Sequence, residues 1–383
     1  MKRALKLMLG AMALGALVVS GCLGGCPRVK FRLSGKILIV GGAVSAPSGA
    51  QRLGVTGSVQ VYDQRTRSFA NRAVRLIEPR LRHTTTRLDS GKLLVAGGEN
   101  AGGEYLSSVE LFDPQSRTFL RTGSMATARL AHTATLLFDG RVLVAGGLST
   151  PRSGLRSAEI YDPTRGRFAP TEDPLLVERY GHTATVLANT KVLIVGGSSD
   201  RSAEIFDPRT YQLRRTRGDP TVARRNHSAT RLADGRVLIA GGRDVASGAL
   251  LDSAELFDPA TETFSATQSP MRDARERHAA SRYEYGVLIT GGRTASGAVL
   301  RSAEVFDPKS RTFRSLPNLM LRPRADHSAS FIAVGPDRGA ILLIGGDVEN
   351  PTVLPSAELF DPSLEKFIAT ANSPDPGVVF HTA

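Results

Sequence analysis

The chain has 383 residues and a formal net charge of +13, from 49 basic and 36 acidic side chains. The basic residues are spread along the sequence rather than clustered with aromatic residues, so we do not expect a nucleic-acid partner. A general affinity for anionic surfaces and a compositional bias of the genome explain this charge equally well. The only cysteines, Cys22 and Cys26, lie near the N-terminus, which excludes a disulfide framework from the rest of the chain.

Residues 1–21 have the pattern of an export signal. Lys2, Arg3 and Lys6 precede the apolar run Leu7–Val19, which is too short to span a membrane as a helix, and small residues lead to Cys22. This arrangement resembles the bacterial lipobox. The resemblance implies that residues 1–21 are removed, that Cys22 is lipidated, and that residues 22–35 form a lipidated N-terminus and linker.

By the same analogy, the residue after Cys22 favours the outer membrane, because it is Leu23 and not the Asp that usually retains such proteins at the inner membrane. The alternative is an ordinary secretory signal in which Cys22 is incidental. If Cys22 is lipidated, Cys26 has no partner within the chain, and it is a spare linker thiol, or one that pairs between molecules or is modified.

A repeated unit begins after this segment, and residues 129–168 show it most clearly. A strand of alternating small and apolar residues is followed by the apolar run Val142–Ala145, which ends at two glycines and is typical of a strand buried on both faces. Ala158–Tyr161 predicts a third strand, Asp162-Pro163 a turn, and Phe168 the centre of a fourth strand. One such sheet cannot bury both faces alone, so it needs neighbours of the same kind.

Three sequence signals recur seven times each, with successive histidines 45 to 54 residues apart. They are a glycine pair (starting at Gly41, Gly97, Gly146, Gly196, Gly241, Gly291 and Gly345), an aromatic residue followed by Asp (Tyr62, Phe112, Tyr161, Phe206, Phe257, Phe306 and Phe360), and a histidine (His83, His132, His182, His227, His278, His327 and His381).

A glycine pair in a period near 50 resembles the Kelch repeat, whose units are four-stranded propeller blades. The resemblance covers Lys36 to Ala383 and implies an all-β, seven-bladed β-propeller over residues 36–383, similar to the central domain of galactose oxidase. The chain contains no Trp, so Phe fills the usual Trp position in six repeats and Leu213 in the remaining one. We therefore expect the blade that contains Leu213 to be the least well packed.

The two ends of the chain complement each other. The first repeat begins at Lys36 with its second strand and lacks a first strand. Val378–Ala383 resembles the start of that missing first strand, so both ends would share one blade and close the ring. Six repeats have Arg three residues before the His and six have Glu two residues before the aromatic residue. The exceptions, Val378 and Gln60, fall in that shared blade. We infer an Arg–Glu ion pair within each of the other blades; coincidence is the alternative.

The sequence gives little support for catalysis. All seven histidines occupy one framework position and cannot converge on one metal ion, so they are interpreted as structural hydrogen-bonding groups, and the repeated Asp as turn formers. No cysteine lies within the repeats, which excludes the copper chemistry of galactose oxidase, and no sialidase Asp-box or Gly-x-Ser-x-Gly elbow is present. We expect no cofactor or metal and no catalytic residue, although a mutarotase-type or lyase-type site remains an alternative.

The two residues before each His vary within the constant frame, as a binding surface requires. They lie in the connection that should emerge beside the variable loops between second and third strands. We predict that the following residues ring the channel mouth and bind a ligand or partner: Arg82, Tyr180, Arg225, Asn226, Glu276, Arg277 and Asp326. Drift at exposed positions is the alternative for any one of them.

Together these features predict a lipid-anchored, noncatalytic binding or scaffold protein of the cell envelope. It would be a monomer that recognises a protein or glycan partner with some negative charge. The alternatives are a carbohydrate-active enzyme using the same mouth, which deep convergent polar groups and a carboxylic acid of shifted pKa would favour, and an envelope scaffold without a small ligand.

Overall fold

The computed structural model describes residues 35–45, 54–349, 352–375 and 377–378. The predicted signal segment, Cys22 and Cys26 lie outside these residues. The described chain contains seven main antiparallel sheets, in each of which the strands follow one another in chain order. Sheets 2 to 7 have four strands, and sheet 1 has three among the described residues.

The strands are as follows. Sheet 1 contains Lys36–Val40, Ser58–Asp63 and Ser68–Arg75; sheet 2, Thr84–Arg87, Leu93–Ala96, Val109–Asp113 and Thr118–Arg121; sheet 3, Thr133–Leu136, Val142–Ala145, Ala158–Asp162 and Arg167–Pro170; sheet 4, Thr183–Val186, Val192–Val195, Ala203–Asp207 and Gln212–Arg215. Sheet 5 contains Ser228–Arg231, Val237–Ala240, Ala254–Asp258 and Thr263–Ala266; sheet 6, Ala279–Tyr283, Gly286–Thr290, Ala303–Asp307 and Thr312–Ser315; sheet 7, Ser328–Phe331, Ile341–Ile344, Ala357–Asp361 and Lys366–Ala369.

Four short two-stranded ladders lie at loops outside the main sheets. They pair Ala43–Val44 with Gly54–Val55, Leu148–Thr150 with Ser153–Gly154, Arg224–Arg225 with Arg243–Asp244, and Asp347–Glu349 with Thr352–Val353.

The hydrophobic core lies between the sheets. Seven clusters of buried apolar side chains each combine residues of two consecutive sheets, and one of them joins Ile37 and Tyr62 of sheet 1 to Leu342 and Ile344 of sheet 7. The second strands of sheets 2 to 7 are buried along their whole length, as their apolar runs predict. The sheets therefore form a closed ring of seven blades, a β-propeller.

Each glycine pair is required by close backbone contacts. Gly97 has φ +64° and Gly98 φ +97°, and a Cβ atom would lie 2.5 Å from the Arg129 carbonyl oxygen at the first position and 2.5 Å from that of Leu81 at the second. Only glycine adopts these φ values without steric cost and leaves room for the neighbouring chain. Because the Gly98 N–H donates to the Arg129 carbonyl at 2.9 Å, the pair links sheet 2 to the connection that enters sheet 3.

The described end of the chain packs on sheet 1. The Gly346 N–H donates to the Val378 carbonyl at 3.0 Å, which repeats the bond between Gly98 and Arg129. The Asp375 N–H donates to Gln60 Oε1 at 3.1 Å, and Asn372 hydrogen-bonds both backbone groups of Phe69. Val378, near the end of the described chain, thus packs on the blade that Lys36 begins, as the sequence predicts. The strand predicted beyond Val378 lies outside the described residues.

The blade that contains Leu213 has an aromatic ring that its sequence pattern does not reveal. In the six other sheets the aromatic residue before the Asp packs on a Phe of the next strand, as Phe257 does on Phe264 at 5.0 Å between ring centroids. Here the ring of Tyr211, in the turn before Leu213, packs edge-on against Phe206 at 6.0 Å. Tyr211 therefore supplies the ring area that Leu213 lacks.

Candidate functional site

The antiparallel order puts two sets of loops on one face of the ring. These are the loops between second and third strands and the connections from each fourth strand to the next sheet, and we call this side the mouth face. The tight turns between first and second strands and between third and fourth strands lie on the opposite side, the turn face. The Asp after each aromatic residue caps such a turn; for example, Asp113 Oδ1 accepts the Gln115 N–H at 2.8 Å.

The residue directly before each described histidine has a left-handed backbone, with φ between 52° and 61°. These residues form what we call the entry ring: Arg82, Ala131, Gly181, Asn226, Arg277 and Asp326. Backbone hydrogen bonds connect its members from sheet to sheet. The Gly181 N–H donates to the Ala131 carbonyl at 3.2 Å, and the N–H groups of Asn226, Arg277 and Asp326 each donate to the carbonyl of the preceding member, at 2.9, 3.1 and 3.0 Å. This conformation is uncommon outside glycine, and the inter-sheet bonds stabilise it here.

The histidines hold neighbouring blades together just inside this ring. The hydroxyl of Thr84 lies 3.0 Å from Nε2 of His132, and Thr133, Thr183 and Ser228 make the same contact with the next histidine at 2.8 to 3.0 Å. Where Ala279 interrupts the series, Thr290 on the paired strand supplies the hydroxyl to His327 at 2.9 Å. This arrangement agrees with a structural hydrogen-bonding role for these histidines.

Burial lowers the pKa of these imidazoles. The pKa of His182 falls to about 3 because its ring is desolvated and because the Arg179 and Arg129 guanidiniums lie nearby. Burial and Arg275 lower the pKa of His278 to about 3. The pKa values of His132 and His227 are also well below 6.5, mainly through burial. All four imidazoles are therefore neutral at physiological pH.

Buried ion pairs fix the backbone that carries the mouth residues. In sheets 2 to 7, the Arg three residues before the His meets the Glu of the third strand of the same sheet at 2.6 to 3.0 Å. Each Arg side chain is fully buried and also donates to the carbonyl of the first glycine of the pair, as Arg224 does to Gly241 at 2.9 Å. The predicted pairing within each blade is confirmed, and sheet 1 has Gln60 and Val378 instead.

The predicted site residues are joined by a network of polar contacts on the mouth face. Arg225 donates to the Tyr180 hydroxyl at 2.5 Å and lies over its ring. Asn226 donates to Glu276 at 2.9 Å, and Arg277 pairs with Asp326 at 3.2 Å. These six residues belong to four consecutive sheets, 4 to 7. Arg82, on sheet 2, lies 3.9 Å from the carboxylate of Glu99.

Four further charged residues of the mouth were not predicted. Each directly follows a glycine pair: Glu99, Arg243, Arg293 and Asp347. Arg243 donates to Glu276 at 2.5 and 3.0 Å, and Arg293 pairs with Asp347. The sequence contained the signal that would have found them. The residue after each glycine pair varies from repeat to repeat within a constant frame, just as the two residues before each histidine vary.

The two central carboxylates of this network differ in their electrostatics. Burial alone would raise the pKa of Glu276, but hydrogen bonds from Arg243 and Asn226 lower it below its usual range. Burial raises the pKa of Asp326, which Arg277 opposes and Asp347 reinforces.

No cluster of three or more His, Cys, Asp and Glu side chains suited to a metal ion occurs among the described residues. In the same part of the chain, no helix has the length and apolarity needed to cross a bilayer.

The fold and these contacts define a β-propeller whose mouth face presents side chains that vary from repeat to repeat. Two family comparisons identify the kind of propeller. The KLHDC2/KLHL20/DRC7 Kelch-repeats domain matches residues 161–346, and the Kelch motif matches residues 80–126. The chain is a Kelch-repeat β-propeller. No curated protein matches it. Kelch propellers generally bind protein partners.

Proposed function

We propose that this propeller is a noncatalytic recognition protein that holds a protein partner against its mouth face, through Tyr180, Arg225, Asn226, Glu276, Arg277 and Asp326. The observation that carries the proposal is the concentration of side chains that vary from repeat to repeat around one opening. Buried Arg–Glu pairs and the entry ring hold the backbone under them. A rigid frame of this kind lowers the conformational entropy lost when a partner binds.

The charge of Arg225 indicates what the partner presents. Among the residues that the structure describes, Arg225 contacts the Tyr180 hydroxyl and ring but forms no ion pair with a carboxylate. Arg243, Arg277 and Arg293 each have an acidic partner within the mouth. Arg225 is therefore the cation available to an incoming carboxylate, and we propose that the partner contributes an acidic side chain there.

Replacing Arg225 by Gln tests this proposal. We expect recovery of the partner from cell-envelope extracts to fall about tenfold, which corresponds to the loss of one charge-assisted hydrogen bond. Arg65→Gln is the matched control, because Arg65 is exposed on the turn face. Equal recovery of every captured protein by wild type and Arg225→Gln would remove Arg225 from the binding site.

We also propose that the protein acts as a monomer tethered through a lipidated Cys22 to the outer membrane. Support comes from the lipobox-like segment alone. The 13 residues between Cys22 and Lys36 reach at most about 45 Å, so a tethered propeller would stay close to its membrane. Mass spectrometry of the N-terminal peptide tests the tether, since an unmodified Cys22 or uncleaved residues 1–21 would contradict it.

One observation favours a second candidate, a mutarotase-type or lyase-type enzyme acting on a carbohydrate. Burial raises the pKa of Asp326, as it does for carboxyl groups that act as general acids. The ion pair with Arg277 opposes that role because it stabilises the charged form. Interconversion of sugar anomers or sugar cleavage that the purified protein accelerates and Asp326→Asn abolishes would favour the enzyme. A glycan partner is the remaining variant of the binding proposal.

A further inference from the structure

We propose that Asp326 and Asp347 form a subsite for a lysine ammonium group of the docked partner. This inference rests on the proposed function, because it takes the cation to belong to a protein held at the mouth face. It adds a second, oppositely charged contact to the one proposed at Arg225. The partner would then present both an acidic and a basic side chain, and the two contacts would fix its orientation.

The first observation is an unsatisfied oxygen of Asp347. Its Oδ2 accepts a hydrogen bond from Arg293 of sheet 6, whereas its Oδ1 is buried and has no hydrogen-bond partner. The side chain is only 8% exposed. A buried carboxylate oxygen without a hydrogen-bond donor is unfavourable, so a donor from a bound partner would satisfy Oδ1 of Asp347.

The second observation is the neighbouring carboxylate. The backbone of Asp347 is paired with that of Ala325, through N–H donors at 3.0 and 3.2 Å in the two directions, so the adjacent Asp326 belongs to the same edge of sheet 7. The Asp326 side chain is 15% exposed, and among the described residues its carboxylate forms one ion pair, with Arg277 at 3.2 Å. It therefore presents unused acceptor capacity to the opening.

Electrostatics favour a cation at this point. Burial raises the pKa of Asp326, and the negative charge of Asp347 raises it further despite the opposing Arg277. Two carboxylates held near each other in a poorly solvated site repel, and a cation shared between them removes that repulsion. An anionic group would meet the same repulsion and is excluded.

The existing contacts indicate which cation fits. The planar guanidinium of Arg277 already contacts the carboxylate of Asp326, and that of Arg293 contacts the carboxylate of Asp347. An ammonium group is compact and has three donors, so it can contact both carboxylates without displacing either arginine. A lysine side chain also has the length to carry its charge below the surface of a docked protein.

The test uses the full-length purified protein and two small probes, Nα-acetyl-lysine amide and Nα-acetyl-norleucine amide. We expect the lysine probe to bind with millimolar affinity, measured by NMR titration, and the norleucine probe at least about tenfold more weakly. Asp347→Asn should weaken the lysine probe by at least about tenfold. Asp173→Asn, an exposed position on the connection between sheets 3 and 4, should leave it unchanged.

Arg293→Gln distinguishes this subsite from a purely structural ion pair. Removing the arginine that neutralises Asp347 should tighten binding of the lysine probe, whereas loss of a structural pair would leave binding unchanged or weaken it. Equal affinity for both probes, no binding of either, or an unaffected Asp347→Asn variant would overturn the inference. Probe binding is measured without the partner and partner recovery by Arg225→Gln without the probe, so failure of the subsite and failure of the proposed function give different results.

Discussion

Replacing Glu255 by Ala is expected to lower the free energy of unfolding by about 3–5 kcal/mol. Glu255 is buried and its Oε1 lies 2.7 Å from Nη2 of Arg224, which is itself fully buried. Its Oε2 accepts the Thr221 N–H at 2.8 Å, so the substitution leaves an uncompensated charge and an unpaired backbone donor. Urea denaturation measures the loss.

Two controls show whether this loss of unfolding free energy depends on the burial of the ion pair. Asp219→Ala removes the partner of Arg215 in an ion pair whose side chains are 49% and 42% exposed, and should cost less than about 1 kcal/mol. The double variant Arg224→Val with Glu255→Gln reproduces the natural combination of Val378 and Gln60, and should recover part of the loss. A cost for Glu255→Ala no larger than that of Asp219→Ala would contradict the role of these pairs.

Acidification from pH 7 to pH 5 is expected to destabilise the propeller through its histidines. Burial lowers the folded-state pKa of His182 and His278 to about 3, below the unfolded value of 6.5. At pH 7 these imidazoles are neutral in the folded state and mostly neutral in the unfolded state. Below pH 6.5 only the unfolded state takes up protons, so stability is lost as pH falls from about 6.5 towards about 3. Each of these two histidines then costs about 2 kcal/mol at pH 5.

The variant His278→Gln checks this assignment. Glutamine can still hydrogen-bond Ser228, which lies 2.8 Å from Nε2 of His278, but it does not titrate. The difference in unfolding free energy between pH 7 and pH 5 should therefore shrink by about 2 kcal/mol. An unchanged pH dependence would show that His278 is protonated in the folded protein or that other groups dominate.

The sequence predicts the frame of this protein well because the frame is repeated. The spacing of His, glycine pair and aromatic residue fixes which strands pair, and the joint absence of Arg and Glu at Val378 and Gln60 indicates where the ends meet. Both features depend on local sequence and on contacts that every blade repeats, so seven copies reinforce one another.

The contacts of the mouth could not be predicted in the same way. They join different sheets, and their side chains change from blade to blade, so no repeat reveals that Arg243 reaches Glu276 or that Arg293 reaches Asp347. The packing of Tyr211 on Phe206, in place of the ring that Leu213 lacks, could not be predicted either. In each case a unique side chain fills a site that the repeated frame leaves open.

Binding of the partner at the mouth face is the central prediction for this protein. Site-specific photocrosslinking in intact cells tests it directly, with a photoreactive phenylalanine in place of Tyr180 on the mouth face or Tyr285 on the turn face, where the side chain is 59% exposed. We predict a discrete crosslinked protein from position 180 and none from position 285. A crosslink from position 285 alone would place the partner on the turn face and contradict the account.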